Sequence, residues 1–262
     1  MHDHPEIKRM MRVAKWVAKR GWAEANAGNM SVRMSEGTHL AERTVVILEA
    51  SLKKPFPTLD SQKFLVTSTG CRARDIPHDP EKNVGLVEIV DRGDKYACRW
   101  GAAPPTSEFP AHLAVHEMCM DKRPDMHAIL HTHPPNLIAM SHLPEMRSAG
   151  ALNRALRAMH PEVGILLPDG IMGMDYRIPG SVELGDATRD ALINCNMAVW
   201  PMHGVVSLAP DLDMALDQVE IVEKAAQIYM IVLSTGRQPI GLSDEQVRAS
   251  RKYWGIETSS LR

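Results

Sequence analysis

HAILHTH, residues 127–133, reads as a short buried strand that ends in two histidines. Side chains two apart on a strand point to one face, so His131 and His133 can meet a single cation. Two imidazoles are half of a zinc shell. His203, followed by Gly204 after the apolar run Ala198–Pro201, is a candidate third ligand. Three neutral imidazoles with an open fourth position are the pattern of a catalytic rather than a structural zinc site. Taken alone, HxH in a chain with 12 histidines has a blander explanation, in which each ring is packed or solvated separately. His112 and His116 form a second pair, at i and i+4 of a helix. Their segment HLAVH lacks the Glu of HExxH, and Glu117 lies outside it, so they read as a helical face near the site rather than as ligands.

Strands and helices are interspersed on both sides of this segment. Residues 4–20 form a basic amphipathic helix with Ile7, Met10, Met11, Ala14 and Val17 on one stripe. Asp3, Glu6 and the lack of a cleavage-like site make it the first helix of the fold rather than a transit peptide. In AEANAGNMSVRM, Asn26, Gly28 and Asn29 mark a tight turn, and Met30, Val32 and Met34 alternate as a strand. Residues 35–62, with an apolar run at 45–48, read as an insertion or hairpin. KFLVT at 63–67 is a strand feeding the turn at 68–70, and 84–90 and 95–100 pair around Arg92-Gly93-Asp94. A proline-stiffened loop at 103–108 leads to a helix over 110–120. Further helices are expected over 135–142, 151–159 and 182–194, with strands at 164–167 (GILL) and at 197–208, the latter single or a pair around Pro201. Residues 211–233 and 243–254 carry helical spacing, the second opening on the capping sequence Ser243-Asp244-Glu245. With no repeat, low-complexity tract or linker, the pattern predicts one α/β domain over 1–262, its mixed, mainly antiparallel sheet lying between helices.

Composition excludes several classes of partner. Lys+Arg 30 against Asp+Glu 32 gives a net charge of −2, with no basic excess to hold a nucleic-acid backbone. No apolar run approaches the ~20 residues of a membrane span. Cys71, Cys98, Cys119 and Cys195 lie far apart without a CxxC pair, which suits a reducing cytoplasm. Thr106-Ser107-Glu108 sets two hydroxyls and a carboxylate before a helix. The hydroxyls and backbone N–H groups suit a phosphate, and Glu108 beside a cation suits a proton acceptor, although a capped helix start looks the same.

Asn26…Gly28-Asn29, Thr67-Ser68-Thr69-Gly70, Thr106-Ser107-Glu108, His131-Thr132-His133 and His203-Gly204, in this order and spacing, resemble the class II sugar-phosphate aldolases. The resemblance covers nearly the whole chain, through GNMSVRM, FLVTSTG, DPEKNVGLVEIV, PTSEFPAHLAVH, ILHTHPPNLIA, PDGI, VWPMHGV and the long helix ending near Gly236. It implies one divalent metal per chain, usually zinc, on His131, His133 and His203, with Glu108 as the acidic catalytic residue. It also implies a phosphate pocket of Asn26, Asn29, Thr69, Thr106 and Ser107. A second acidic residue, supplied by a neighbouring subunit of a homotetramer, aligns with Glu162 in HPEVGILLPDG. Within the family the likeness is greatest to members that cleave L-rhamnulose 1-phosphate to dihydroxyacetone phosphate and L-lactaldehyde, through a zinc-stabilised enediolate and without a Schiff base. PTSEFPAH and the 35–62 insertion favour that type over the related L-fuculose-phosphate aldolases and ribulose-phosphate 4-epimerases. An adducin-like scaffold, which need not keep metal ligands, is the non-enzymatic alternative. The chain departs from the pattern at Ser68, Thr69 and Cys71; the hydroxyl at 69 is retained, while the width of the pocket is put in doubt.

Overall fold

The alternation of apolar residues along the strands builds a core on both sides of one sheet. The computed structural model describes residues 3–35, 46–146 and 148–256. Its elements run α1 (Pro5–Lys19), β1 (Asn29–Arg33), β2 (Leu48–Ser51), β3 (Lys63–Thr67), α2 (Pro80–Asn83), β4 (Val84–Val90), β5 (Lys95–Gly101), α3 (Phe109–Lys122) and β6 (Ala128–Thr132). There follow α4 (Pro135–Ser141), α5 (Ala149–Met159), α6 (Pro161–Leu166), β7 (Ile171–Gly173), α7 (Val182–Ala191), β8 (Met197–Trp200), β9 (Gly204–Ala209), α8 (Leu212–Leu233) and α9 (Asp244–Tyr253). The strands form a nine-stranded sheet in the order β2-β5-β4-β3-β1-β6-β9-β8-β7. Every pairing is antiparallel except β7 with β8. The expected mixed, mainly antiparallel sheet between helices is what the chain forms.

Met30, Val32, Leu65, Leu86 and Leu130 point to one face, where α1, α4, α5 and α8 cover them. Phe64, Val66, Ile129, Val206 and Leu208 point to the other, under α3 and α7. In α1 the buried stripe is Ile7, Met10, Val13, Ala14 and Val17, with Met11 half-buried at its margin. Each large side chain on that stripe contributes about 1.5–3 kcal/mol by leaving water, so an acidic residue at Val13 would detach the helix. Pro5 starts it with a preset φ, and the His4 ring accepts from the Glu6 N–H. At the far end of the chain, Ser243 and Gln246 close the expected cap on α9 as a reciprocal pair.

One element differs in type. GILL at 164–167, expected as a strand, lies mainly in helix α6. Pro161 presets the first turn, and Val163 and Leu167, four apart, are the buried pair, so the run has helical rather than strand burial. The strand comes later, at β7, where it pairs with β8. The 197–208 stretch resolves into the antiparallel pair β8 and β9. Of the expected insertion at 35–62, residues 36–45 lie outside the described residues; the remainder supplies β2, an edge strand paired with β5.

Candidate active site

Antiparallel pairing brings distant segments to one rim of the sheet. Asn29 at the start of β1 is paired with His131 near the end of β6, and Ser31 with Val66 near the end of β3. Thr132 is paired with Val205 at the start of β9, and Thr67 with Val84 next to the end of β5. The loops before β1, after β3, before α3, after β6 and before β9 therefore meet. They enclose an open cleft of about 520 Å³ lined by Asn26, Asn29, Thr69, Thr106, Ser107, Glu108, His131, His133 and His203, among others. Those are the metal, phosphate and carboxylate residues expected from the sequence, with Glu162 as the exception. No lysine or arginine lines this cleft among the described residues.

One ring nitrogen from each of His131, His133 and His203 lies within 4.8 Å of the others. His131 Nδ1 donates to the Val205 carbonyl (2.9 Å), and His133 Nδ1 donates to Glu24 Oε1 (2.8 Å). Both acceptors fix the tautomer, so the two Nε2 atoms turn lone pairs toward each other at 3.2 Å. Two lone pairs at that distance repel unless a cation or proton sits between them. A tetrahedral ion with metal–nitrogen bonds of about 2.0–2.1 Å sets its nitrogens about 3.3–3.4 Å apart. The donor set fits such an ion. Gly204 keeps the rings close, because a Cβ there would fall 2.5 Å from the Thr132 carbonyl and 2.8–2.9 Å from His133 and His131 carbons. Trp200 packs against His131, its ring tilted by 41° with centroids 4.5 Å apart, and donates its indole N–H to the Thr188 hydroxyl. Burial, reinforced by His133 and His203, holds His131 well below the usual histidine range. Burial lowers His203 too, against the opposing pull of Glu108. Partial burial works to raise the Glu24 carboxyl, but the His133 hydrogen bond and nearby imidazoles outweigh it, and the net shift is down.

Glu108 is the N-cap residue of α3, but its side chain makes no capping hydrogen bond. Its carboxylate instead accepts from Asn29 Nδ2 (2.7 Å) and stands 3.6 Å from His131 Nε2, on the border of the three-histidine centre. Asn29, expected at the phosphate, has its other amide atom on the His112 ring (2.6 Å), so its side chain is engaged by these two neighbours. Thr69 donates its hydroxyl to the Pro105 carbonyl (2.7 Å), tying the glycine turn to the 103–108 loop. Thr106 anchors that loop through its N–H to the Thr67 carbonyl, and Asn26 and Ser107 are exposed at the mouth. Gly28 holds the turn at φ +73, with room for a Cβ only 3.1 Å from the His131 carbonyl. Glu162 opens α6 beside His160, on the sheet face opposite α3, and does not line the cleft of its own chain. Sequence reasoning missed Glu24, Ser31 and Trp200, for which no spacing rule pointed to the site. It also left His112 and His116 without a task.

The arrangement of fold and site defines a class. Residues 8–230 match the Class II Aldolase and Adducin N-terminal domain family, and the chain belongs to it. It is similar to the rhamnulose-1-phosphate aldolase of Bacteroides thetaiotaomicron, with 32% identity covering 93% of this chain and 91% of that protein. The rhamnulose-1-phosphate aldolase of Klebsiella pneumoniae subsp. pneumoniae is 30% identical over 96% of this chain and 93% of its own. Among solved structures, a sugar-phosphate aldolase from Thermotoga maritima superposes with a TM-score of 0.82 and 37% identity, covering 92% of this chain and 100% of that one.

Proposed function

We propose that the chain is a metal-dependent lyase that cleaves L-rhamnulose 1-phosphate to dihydroxyacetone phosphate and L-lactaldehyde, a step of L-rhamnose catabolism in the cytoplasm. The observation that carries this reading is the convergence of three imidazole nitrogens beside the buried Glu108 carboxylate. Its near full-length similarity to two rhamnulose-1-phosphate aldolases supplies the substrate. His131, His133 and His203 would hold one zinc ion, which when bound supplies Lewis-acid stabilisation of the negative charge left as the C3–C4 bond breaks. Glu108 delivers the proton to the carbon of the dihydroxyacetone-phosphate fragment in cleavage and removes it in condensation. Asn26, Thr106 and Ser107 hold the phosphate with side-chain amide and hydroxyl donors, and Thr69 joins them when its hydroxyl turns from the Pro105 carbonyl to the phosphate, while Asn29 steadies Glu108. Neutral donors suit a cleft that no lysine or arginine lines among the described residues, and they orient the substrate for cleavage. Among the described residues no helix is long and apolar enough to cross a membrane, in keeping with a small-molecule enzyme.

Glu162 enters through assembly. In a homotetramer, a neighbouring subunit's Glu162 would reach the cleft and move the hydroxyl proton on the aldehyde side. In cyclic packing each contact is heterologous, so mixing inactive Glu108→Gln and Glu162→Gln chains should restore some sites. A light-scattering mass of one chain with full activity, or an unimpaired Glu162→Gln enzyme, removes this part.

Turnover of L-rhamnulose 1-phosphate, L-fuculose 1-phosphate and L-ribulose 5-phosphate, with metal content measured on the same preparation, tests the main reading. Preferential release of dihydroxyacetone phosphate from the first, with about one zinc per chain, is expected. Preference for either other sugar transfers the reading to that activity, and a metal-free protein inactive on all three would point to a scaffold.

A further inference from the structure

Helix α3 and strand β1 face each other with matched spacing. Four residues of helix advance about 6 Å, and two residues of strand about 6.8 Å. Glu108, His112 and His116, at intervals of four, therefore meet Asn29 and Ser31, at an interval of two. The contacts form a ladder. Asn29 Nδ2 meets Glu108 Oε2 at 2.7 Å, and Asn29 Oδ1 meets His112 Nε2 at 2.6 Å. Ser31 Oγ then bridges His112 Nδ1 (2.7 Å) and His116 Nε2 (2.8 Å). All five residues are buried.

The chemistry of one end sets the direction of the whole. An ionised carboxylate only accepts, so Asn29 must present its NH₂ to Glu108 and its oxygen to His112. His112 must then carry its proton on Nε2 and accept at Nδ1 from the Ser31 hydroxyl. The Ser31 oxygen in turn accepts from His116 Nε2–H, and His116 Nδ1 is left buried without a hydrogen-bond partner. Every donor points toward Glu108, and each ring has one proton. Burial favours the same neutral state: it lowers His112 to about 4, against the pull of Glu108, and holds His116 well below the usual histidine range. Among the described residues the other Glu108 oxygen takes no hydrogen bond from the protein.

We propose that His112 is a positioning residue for the Glu108 proton transfer: it locks the Asn29 amide in the orientation that anchors one carboxylate oxygen and leaves the other for the substrate carbon. This rests on the aldolase reading above. Without the His112 donor the Asn29 Oδ1 has lost its anchor, so the amide keeps its NH₂ on Glu108 but no longer holds that carboxylate in one place. A misplacement of about 1 Å can cost about 10²-fold in rate.

The experiment uses the metal-loaded enzyme in five forms: wild type, His112→Phe, His112→Gln, Glu108→Gln and the His112→Phe/Glu108→Gln double variant. His112→Phe should lose about 10²-fold in kcat with KM and metal content held, and His112→Gln, which keeps an amide donor, should regain most of it. In the Glu108→Gln background His112→Phe should cost nothing further, because its effect passes through the carboxylate. Full kcat in metal-loaded His112→Phe, or a loss that multiplies with that of Glu108→Gln, overturns the proposal. Nitrogen-15 NMR of histidine-labelled wild type reads the ladder without any activity, also where His112→Phe does not fold. A neutral His112 protonated on Nε2 supports it, and a proton on Nδ1 overturns it. A wild-type protein with that Nε2 proton but no turnover of any of the three sugars would sink the aldolase reading while leaving the ladder intact.

Discussion

The chain holds two clusters of histidines within one layer of the fold, and they are built on opposite rules. At the rim, His131 and His133 give their Nδ1 protons outward, to Val205 and Glu24, and turn bare Nε2 lone pairs inward toward each other. Behind it, His112 and His116 share the Ser31 hydroxyl, and each contact in their ladder pairs a donor with an acceptor. The first cluster has a surplus of acceptors that only a cation or proton relieves. The second turns no two lone pairs on each other; its one spare acceptor, His116 Nδ1, stands alone at the far end, and it needs no ion. Counting histidines, or even noting that both pairs share a face, does not separate these cases; the direction of the hydrogen bonds does.

The largest expected effect strikes the open cluster alone. His131→Ala/His133→Ala should abolish metal retention in elemental analysis and lower turnover at least about 10³-fold, since several kcal/mol of charge stabilisation go with the ion. Full metal retention would mean that the rim is not the binding place. Glu108→Gln, at the junction of the two clusters, should keep fold and metal yet lose about 10²–10⁴ in kcat, because an amide exchanges no proton. Near wild-type cleavage would show that the proton moves elsewhere.

A pH titration separates the closed cluster. His112 is held to about 4 when folded, against an ordinary value of 6.5. The folded value is the lower, so its contribution to stability is complete above pH 6.5 and is lost as pH falls toward 4. The shift corresponds to about 3 kcal/mol. The free energy of unfolding in urea, measured on chelator-treated protein, should therefore fall further between pH 7 and pH 4 for wild type than for His112→Gln, by about that amount; equal falls would contradict it. The smallest effect belongs to the support of the open cluster. Glu24→Gln loses the carboxylate that orients His133 and should weaken metal binding about 10–100-fold in a chelator competition. Unchanged affinity would make Glu24 a surface neighbour only.

Much of this site is legible in the chain because its parts follow local periods. The HxH pair rests on the strand period of two, and Glu108, His112 and His116 repeat at the helical interval of four. The same local reasoning misjudged GILL, since a run of four apolar residues fits either a strand or a helix until its partners are known. The family resemblance placed Asn29 with the phosphate residues; in the folded chain its two amide atoms meet Glu108 and His112.

By itself, then, the sequence determined most of the elements, the mainly antiparallel sheet and the residue types of the site, because backbone periodicity and turn chemistry act over a few residues. The tertiary structure alone decided that Asn29 pairs with His131, that Gly204 leaves room for two imidazoles, and that Ser31 bridges His112 and His116. Those facts depend on strand register and on the direction of hydrogen bonds between residues far apart in the chain, 81 for Ser31 and His112 and 109 for Glu24 and His133. No local period carries them, because a donor acquires its acceptor only when the sheet has closed around both.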